Sequence, residues 1–217
     1  MELIVDNATK SIKGRKVLDR ISVRLSEGIY GLTGRNASGK TMLLRALSGL
    51  IKLDEGEVRL DGKVIRKDIP VLPSLGIIIE NAGMYDSRTG YDNLRILADY
   101  KKKIGDEEIV RALMRVGLDP YDKRKYHSYS LGMKQKLAIA QAIMEEPDIL
   151  LLDEPMNALD EQSVLQVRNV LLEEKNRGTL IIIASHIRED IDTLADRILV
   201  MDEGRLIKNE LAGGSAS

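Results

Sequence analysis

The sequence predicts an α/β fold built around a mainly parallel β-sheet. Two continuous aliphatic runs, residues 149–152 and 180–184, are bounded by turn residues, a pattern typical of strands buried on both faces of a sheet. These runs alternate with stretches of helical spacing, which favours helices packed against that sheet. With 217 residues and 43% hydrophobic composition, the chain is long enough for one large domain, or two small ones, with a sizeable core.

The first third of the chain adds an antiparallel β portion to this prediction. Residues 3–5 and 17–25 are predicted to form an antiparallel pair of strands. A further strand, residues 29–32, leads into a glycine-rich loop and a helix over residues 40–47. Residues 77–79 are predicted to form a short buried strand. The core therefore begins with antiparallel strands and continues with parallel ones.

Residues 91–144 have helical spacing and no convincing strand. The apolar side chains predicted to face inward there are Leu94, Leu97, Ala98, Val110, Leu113, Met114, Leu118, Leu137, Ala140, Ala142 and Ile143. We therefore predict a helical subdomain, approximately residues 84–146, inserted in the core. The whole domain is predicted to span residues 1–211, and residues 212–217 resemble a flexible linker because they are rich in Gly and Ser.

The composition argues against several classes of protein. Without cysteine, the chain has no disulfides and no thiolate metal sites. Its 33 Lys and Arg against 34 Asp and Glu give a net charge of -1, unlike a general nucleic-acid binder. The basic patches at 101–103 and 123–125 are short and are interpreted as solvated helix faces. No apolar run approaches the ~20 residues that span a bilayer, and no signal peptide is predicted.

Residues 34–41 match the phosphate-binding pattern G-x-x-x-x-G-K-[ST] in full. Glycines let successive backbone N–H groups converge on phosphate oxygens, and the following helix presents its positive end. Lys40 adds a mobile charge for the β- and γ-phosphates, and the Thr41 hydroxyl can ligate Mg²⁺. An ordinary glycine-rich turn would match by chance in about one chain per hundred. The predicted phosphate-binding residues are Gly34, Arg35, Asn36, Ala37, Ser38, Gly39, Lys40 and Thr41.

Two of the predicted strands end in polar residues that can reach the same ligand, because ligands bind at the carboxyl ends of parallel strands. The first aliphatic run leads to Asp153, which can face Mg²⁺ through water, and Glu154, which can accept a proton from an attacking water. The second run leads to His186, which can hydrogen-bond phosphate or orient water. The alternative for the two acids is a solvated turn, since Asp-Glu-Pro is common turn chemistry. His127 has no comparable position.

The ordered set of motifs resembles the ATPase subunit of ATP-binding cassette (ABC) transporters over nearly the whole chain. After the phosphate loop come Ser130-Leu131-Gly132-Met133-Lys134-Gln135, the acidic strand, Asn157-Ala158-Leu159-Asp160 and His186. The resemblance implies a P-loop NTPase core with a helical subdomain inserted. It also implies a signature loop that caps ATP held by a second subunit, formed by Tyr129, Ser130, Leu131, Gly132 and Met133. Asp160 would belong to a loop that touches that second subunit.

The sequence departs from the usual family pattern in four places, three of which concern contacts with the nucleotide. Leu131 and Met133 replace a Gly and a Gln of the signature loop. Ile12 stands near the position of an aromatic residue that stacks on adenine, so an apolar contact is expected without a π-face. Met42 replaces a Ser or Thr and removes one possible contact with the α-phosphate.

The fourth departure is Glu80, at the position of a family Gln whose neutral carbonyl meets Mg²⁺. A carboxylate is a stronger ligand, but it adds charge near phosphates and two other acids. Together with residues 79–85 and 89–94, it resembles the ATPases of bacitracin-type and lantibiotic self-protection exporters. The predicted metal ligands are thus Thr41, Glu80 and Asp153; the alternative is that Glu80 is a tolerated substitution.

The resemblance implies a subunit that binds and hydrolyses ATP with Mg²⁺, using Glu154 and His186, and that powers a separate transmembrane permease. The expected cargo is an antimicrobial peptide, drug or lipid-like substrate. Two subunits are expected to pack head to tail around ATP, on the cytoplasmic face of the cell membrane, without inserting into it and without binding nucleic acid. Two rival functions stay open: a soluble ABC ATPase in translation or DNA repair, and a regulatory module that does not hydrolyse. The single compact cassette without heptads argues against the first, and the catalytic residues against the second.

Overall fold

The computed structural model describes residues 1–80 and 83–212. Within these residues the strands are β1 (Leu3–Ile12), β2 (Arg15–Leu25), β3 (Gly28–Thr33), β4 (Glu55–Leu60), β5 (Lys63–Val64), β6 (Leu75–Ile78), β7 (Ile149–Asp153), β8 (Leu180–Ala184), β9 (Arg197–Asp202) and β10 (Arg205–Leu211). The helices are α1 (Lys40–Ser48), α2 (Gly90–Lys101), α3 (Asp106–Arg115), α4 (Leu131–Ile143), α5 (Glu161–Asn176) and α6 (Arg188–Leu194), with a 3₁₀ turn at Tyr126–Ser128.

A six-stranded sheet in the order β10-β9-β3-β8-β7-β6 forms the core. The pairs β9–β3, β3–β8, β8–β7 and β7–β6 are parallel, and within this sheet, as far as the structure describes it, β10 alone pairs antiparallel, with β9. The register sets both Leu32 and Asp153 opposite Ala184. The chain therefore leaves β3, β7 and β8 at the same edge of the sheet, where parallel sheets bind their ligands. The predicted parallel core is confirmed.

A second, antiparallel sheet has the order β2-β1-β4-β5. It confirms the predicted N-terminal antiparallel portion, although β1 is much longer than residues 3–5. The sequence analysis did not predict β4, β5 or the β9–β10 hairpin. In β4 only Val58 is fully buried, and β10 is largely exposed, so neither strand has a continuous aliphatic run that reveals it.

The side chains of the central strands alternate between two hydrophobic cores. Leu151 and Ile182 lie in the core shared with the antiparallel sheet and α1, whereas Leu150 and Ile181 lie in the core shared with the helical region. All four are at most 1% exposed. Since burying one such side chain stabilises the fold by about 1.5–3 kcal/mol, strands apolar on both faces anchor both halves of the domain.

The insertion between β6 and β7 contains α2, α3 and α4, within the predicted helical subdomain. Two side chains predicted to face its core do not: Leu97 is 36% exposed and Met114 is 61% exposed. Met114 follows the buried Leu113 by one residue, which is about 100° around the helix axis. The sequence prediction placed Leu97 and Met114 on the buried face because they are apolar and have helical spacing. In the structure Leu97 lies at the edge of that face and Met114 lies outside it.

At the C-terminal end of the described residues, the backbone N–H of Ala212 donates to the carbonyl of Asp196 (2.9 Å). Residue 212, predicted to begin the tail, is thus joined to the fold, and residues 213–217 lie outside the described residues. Among residues 1–80 and 83–212, no helix is both long and apolar enough to cross a membrane.

Candidate nucleotide-binding site

The loop between β3 and α1 turns tightly because three of its residues have positive φ. These are Gly34 (148°), Ala37 (63°) and Gly39 (107°). A Cβ on Gly39 would lie 2.6 Å from the carbonyl oxygen of Val17, so only glycine fits there. The loop that follows β3 is consequently compact and ends directly at the first turn of α1.

The N-terminal end of α1 is not capped by a side chain within the described residues, so its first N–H groups are available to an anion. Lys40 is 7% exposed, and its Nζ donates to the carbonyls of Gly34 (2.9 Å) and Arg35 (3.4 Å). Ser38 adds a buried hydroxyl that has no hydrogen-bond partner in the described part of the chain. A positive helix end and a buried ammonium thus lie together, the arrangement that a phosphate chain requires.

Thr41 and Asp153 join the loop to the end of β7. The Thr41 Oγ1 donates to Asp153 Oδ2 at 2.6 Å. Burial raises the pKa of Asp153; the hydrogen bond from Thr41 opposes this rise, and the nearby carboxylates of Glu154 and Glu80 add to it. The Thr41 hydroxyl and the Asp153 carboxylate, with Glu80 and Glu154 lining the same cavity, are hard oxygen donors of the kind that Mg²⁺ prefers.

Glu154 is held by contacts from three elements. Its backbone N–H donates to Ala184 at the end of β8 (2.8 Å). Its side-chain Oε1 accepts the backbone N–H of His186 (3.1 Å) and lies 2.8 Å from the Nδ1 of that residue. From α4, the Gln135 amide donates to the carbonyls of Glu154 (3.2 Å) and Pro155 (2.9 Å). The carboxylate is therefore fixed at one oxygen while the other stays available to a ligand.

A cavity of about 870 Å³ brings the predicted residues together: residues 36–42, Glu80, Asp153 and Glu154 all line it. This volume is typical of small-molecule sites. Among the residues predicted to bind or act on this chain's own nucleotide, four do not line it, namely Ile12, Gly34, Arg35 and His186. Ile12 ends β1 and is 43% exposed. His186 contacts Glu154, which lines the cavity, but does not line the cavity itself.

A protein-family comparison agrees with this geometry, since the model described as "ABC transporter" matches residues 18–157. The chain belongs to the ABC transporter family. Similar proteins include the "Uncharacterized ABC transporter ATP-binding protein YybJ" of Bacillus subtilis (strain 168), 52% identical over 94% of both chains. Others are the bacitracin transport ATP-binding protein BcrA of Enterococcus faecalis (41% identical; 96% of this chain, 69% of BcrA) and the lantibiotic transport ATP-binding protein SrtF of Streptococcus pyogenes (34%; 98% and 92%).

Among solved structures, the dimeric structure of a bacterial ABC transporter cassette superposes with a TM-score of 0.88. It is 20% identical in sequence, and the match covers 98% of this chain and 100% of that one, which confirms the predicted fold. The predicted ABC ATPase subunit, homologous to bacitracin and lantibiotic transport ATPases, is confirmed by the family match and the relatives.

This ABC ATPase has a cavity wall that the sequence analysis missed. Arg15, Lys16 and Val17 of β2 line it together with Glu203 and Gly204 of the β9–β10 turn. The buried Asp19 joins these two stretches, because Lys16 (2.8 Å) and Arg205 (2.6 Å) both contact its carboxylate. Their hydrogen bonds lower the pKa of Asp19 to about 2. No motif marks these residues; only the pairing of distant strands brings them to the site.

The signature loop is ordered by its own hydrogen bonds. The Ser130 hydroxyl accepts the N–H of Met133 (3.2 Å), so α4 begins at Leu131. Leu131 is 70% exposed and lines the cavity. Tyr129 is only 7% exposed, and its hydroxyl accepts the N–H of Gly90 at 3.2 Å. The Tyr129 ring thus packs in the helical subdomain, away from the surface.

The turn before α5 lies against the signature loop. A Cβ on Gly132 would lie 3.0 Å from the carbonyl oxygen of Ala158, so the two backbones approach closely. Asp160 caps α5 by accepting the N–H of Ser163 (2.8 Å), and the Ser163 side chain, followed by this backbone N–H, lowers the pKa of Asp160. Within one chain, the two stretches predicted to face the second subunit are therefore neighbours.

Proposed function

We propose that the chain binds ATP with Mg²⁺ and hydrolyses it to drive a separate transmembrane permease that exports an antimicrobial peptide. The observation that carries this proposal is the cavity where the phosphate loop, Thr41, Asp153 and Glu154 converge. The names of BcrA and SrtF, which refer to bacitracin and lantibiotic transport, support peptides as cargo.

Several residues in and beside the cavity have defined tasks in this proposal. The loop N–H groups and Lys40 bind the phosphates, and oxygens of Thr41, Asp153 and Glu80 would hold Mg²⁺. When bound, that ion would supply charge neutralisation for the phosphates. Glu154 accepts a proton from the attacking water at the oxygen that His186 does not occupy. His186 acts by fixing the direction of that carboxylate.

We place a second copy of the chain over this cavity, head to tail, with ATP between the copies. The exposed start of α4, with the hydroxyl of Ser130 and the side chain of Leu131, is available to a nucleotide held by that copy. Asp160 lies beside the same surface through the contact of Gly132 with Ala158. Loss of the γ-phosphate then loosens the contact between the copies.

An apolar stripe on α2 supports the contact with the permease. Ile96, Leu97 and Tyr100 are spaced to share one helix face, and all are exposed, Tyr100 by 89%. Tyr85 adjoins the stripe, because Asn93 on α2 hydrogen-bonds both its N–H (2.7 Å) and its carbonyl (3.2 Å). Through this permease the chain is proposed to sit on the cytoplasmic face of the membrane.

The test is phosphate release by the purified chain with ATP and Mg²⁺, compared with Lys40→Ala. We expect the variant to lose ATP binding and hydrolysis, since its ammonium is the buried cation of the loop. Hydrolysis by the variant at the parent rate would show that the cavity is not the site. For the permease, co-purification from solubilised membranes is compared between the parent and Tyr100→Glu, which we expect to weaken association but not hydrolysis by the isolated chain.

A further inference from the structure

We propose that Arg45 is a positioning residue that holds the Glu80 carboxylate and cancels its charge, so that this extra acid can stand beside a triphosphate. The proposal rests on the proposed ATP site and assigns a role to a side chain outside every motif identified in the sequence. It concerns how the cavity tolerates a carboxylate where a neutral amide is the usual group.

The contact is direct. The Arg45 Nη2 lies 2.7 Å from the Glu80 Oε1, an ion pair between α1 and the segment after β6. Arg45 follows Thr41 by four residues, so both side chains leave the same face of α1. The Arg45 side chain is 31% exposed and that of Glu80 is 68% exposed, so solvent screens the pair only in part.

The electrostatic need comes from crowding of acids. Glu80, Asp153 and Glu154 line the same cavity as the phosphate loop, and Arg45 does not line it. A triphosphate adds several negative charges there, and like charges at close range repel each other. Arg45 reduces this repulsion from behind Glu80 and leaves Oε2 free to face the cavity. A guanidinium suits this task because it stays protonated at any physiological pH.

This arrangement makes a distinctive prediction, because the benefit of Arg45 must pass through Glu80. The pair carries no net charge and presents one oxygen, as a neutral glutamine does. When Glu80 is replaced by glutamine, Arg45 has no anion to neutralise and its removal should have little effect. A cation that attracts phosphate directly would matter equally in both backgrounds.

The experiment is a double-mutant cycle with Arg45→Met, Glu80→Gln and the double variant. The affinity for a fluorescent ATP analogue is measured in EDTA, so that repulsion is read without metal, and thermal unfolding is followed in parallel. We expect Arg45→Met to weaken binding about two- to fivefold and the double variant to bind like Glu80→Gln. Arg45→Lys, which keeps the charge, should retain most of the parent affinity.

The matched control is Arg111→Met, which removes an exposed helical arginine paired with Glu108 on α3. It should bind like the parent. Equal weakening by Arg45→Met in both backgrounds, or no weakening in either, would overturn the proposal. If Arg45→Met does not fold, Arg45→Gln takes its place in the cycle. Its ATP affinity is compared with that of Arg45→Lys, both in the parent background and in the Glu80→Gln background, by the same criterion. A parent chain that binds no ATP would instead refute the proposed function itself.

Discussion

Replacing Glu154 by glutamine tests the chemistry of the site most directly. The amide keeps the size of the side chain and an oxygen that can accept the His186 N–H, which now lies 3.1 Å from Oε1. The backbone contact with Ala184 is unaffected. Only the ability to take a proton is lost, and a general base contributes about 10²–10⁴ in rate, or about 2.7–5.5 kcal/mol.

We therefore expect Glu154→Gln to lower phosphate release by about two to four orders of magnitude while ATP affinity is kept. Because hydrolysis separates the proposed dimer, the variant should accumulate as an ATP-bound dimer, measured by size exclusion with light scattering. Glu107→Gln, on the first turn of α3, is the control, and its rate should equal that of the parent. A Glu154→Gln rate within about twofold of the parent would show that Glu154 is not the base.

Three further changes test other parts of the site. Asp153→Asn should raise the stability of the ligand-free chain at neutral pH, because the raised pKa of Asp153 means that its ionised form opposes folding. Calorimetry should show the stability difference between variant and parent narrowing as the pH falls toward about 4. In the variant, Mg²⁺ should no longer strengthen ATP binding. Asp19→Asn should lower the melting temperature at neutral pH, because the ionised Asp19 stabilises the folded chain. Since the folded pKa of Asp19 is lowered to about 2, the parent should keep this stabilisation until the pH falls below about 4 and lose it as the pH approaches 2. Gln135→Leu should slow phosphate release with little change in ATP affinity, since it removes both hydrogen bonds that α4 makes near Glu154; an unchanged rate would contradict this.

The parallel core was predictable because its strands carry their own signal. Leu150 and Leu151 point into different hydrophobic cores, so β7 is apolar at its first four positions and stands out as a continuous run. By contrast, β4 buries only Val58 fully, and its flanking residues are charged. Such a strand exists because β1 pairs with it, and pairing between distant segments leaves no mark within six residues of sequence.

The candidate site divides in the same way. The phosphate loop is contiguous, and Gly34, Gly39, Lys40 and Thr41 each have a local reason for their residue type, so the whole loop was recognised from the sequence. Arg45 lies one helical turn after Thr41, which is a weak indication that it lies near the site. Its pairing with Glu80 is known only from the fold. The position of Tyr129 is another feature that only the fold reveals. It precedes the cap of α4 in sequence, and its ring packs inward, where its hydroxyl accepts the N–H of Gly90.

The hydrogen bonds of Gln135 also connect the two halves of the proposed mechanism. Gln135 lies on α4, which begins at the signature loop, and its amide donates to the carbonyls of Glu154 and Pro155. Any movement of α4 relative to the six-stranded sheet must either break these hydrogen bonds or shift the backbone that carries the Glu154 carboxylate. In the proposed mechanism, a second subunit or a permease that displaces the helical subdomain would therefore act on Glu154 through Gln135, beside the close approach of Gly132 to Ala158. The proposed contact at the signature loop and the proposed hydrolysis at the end of β7 would thereby be linked within one chain.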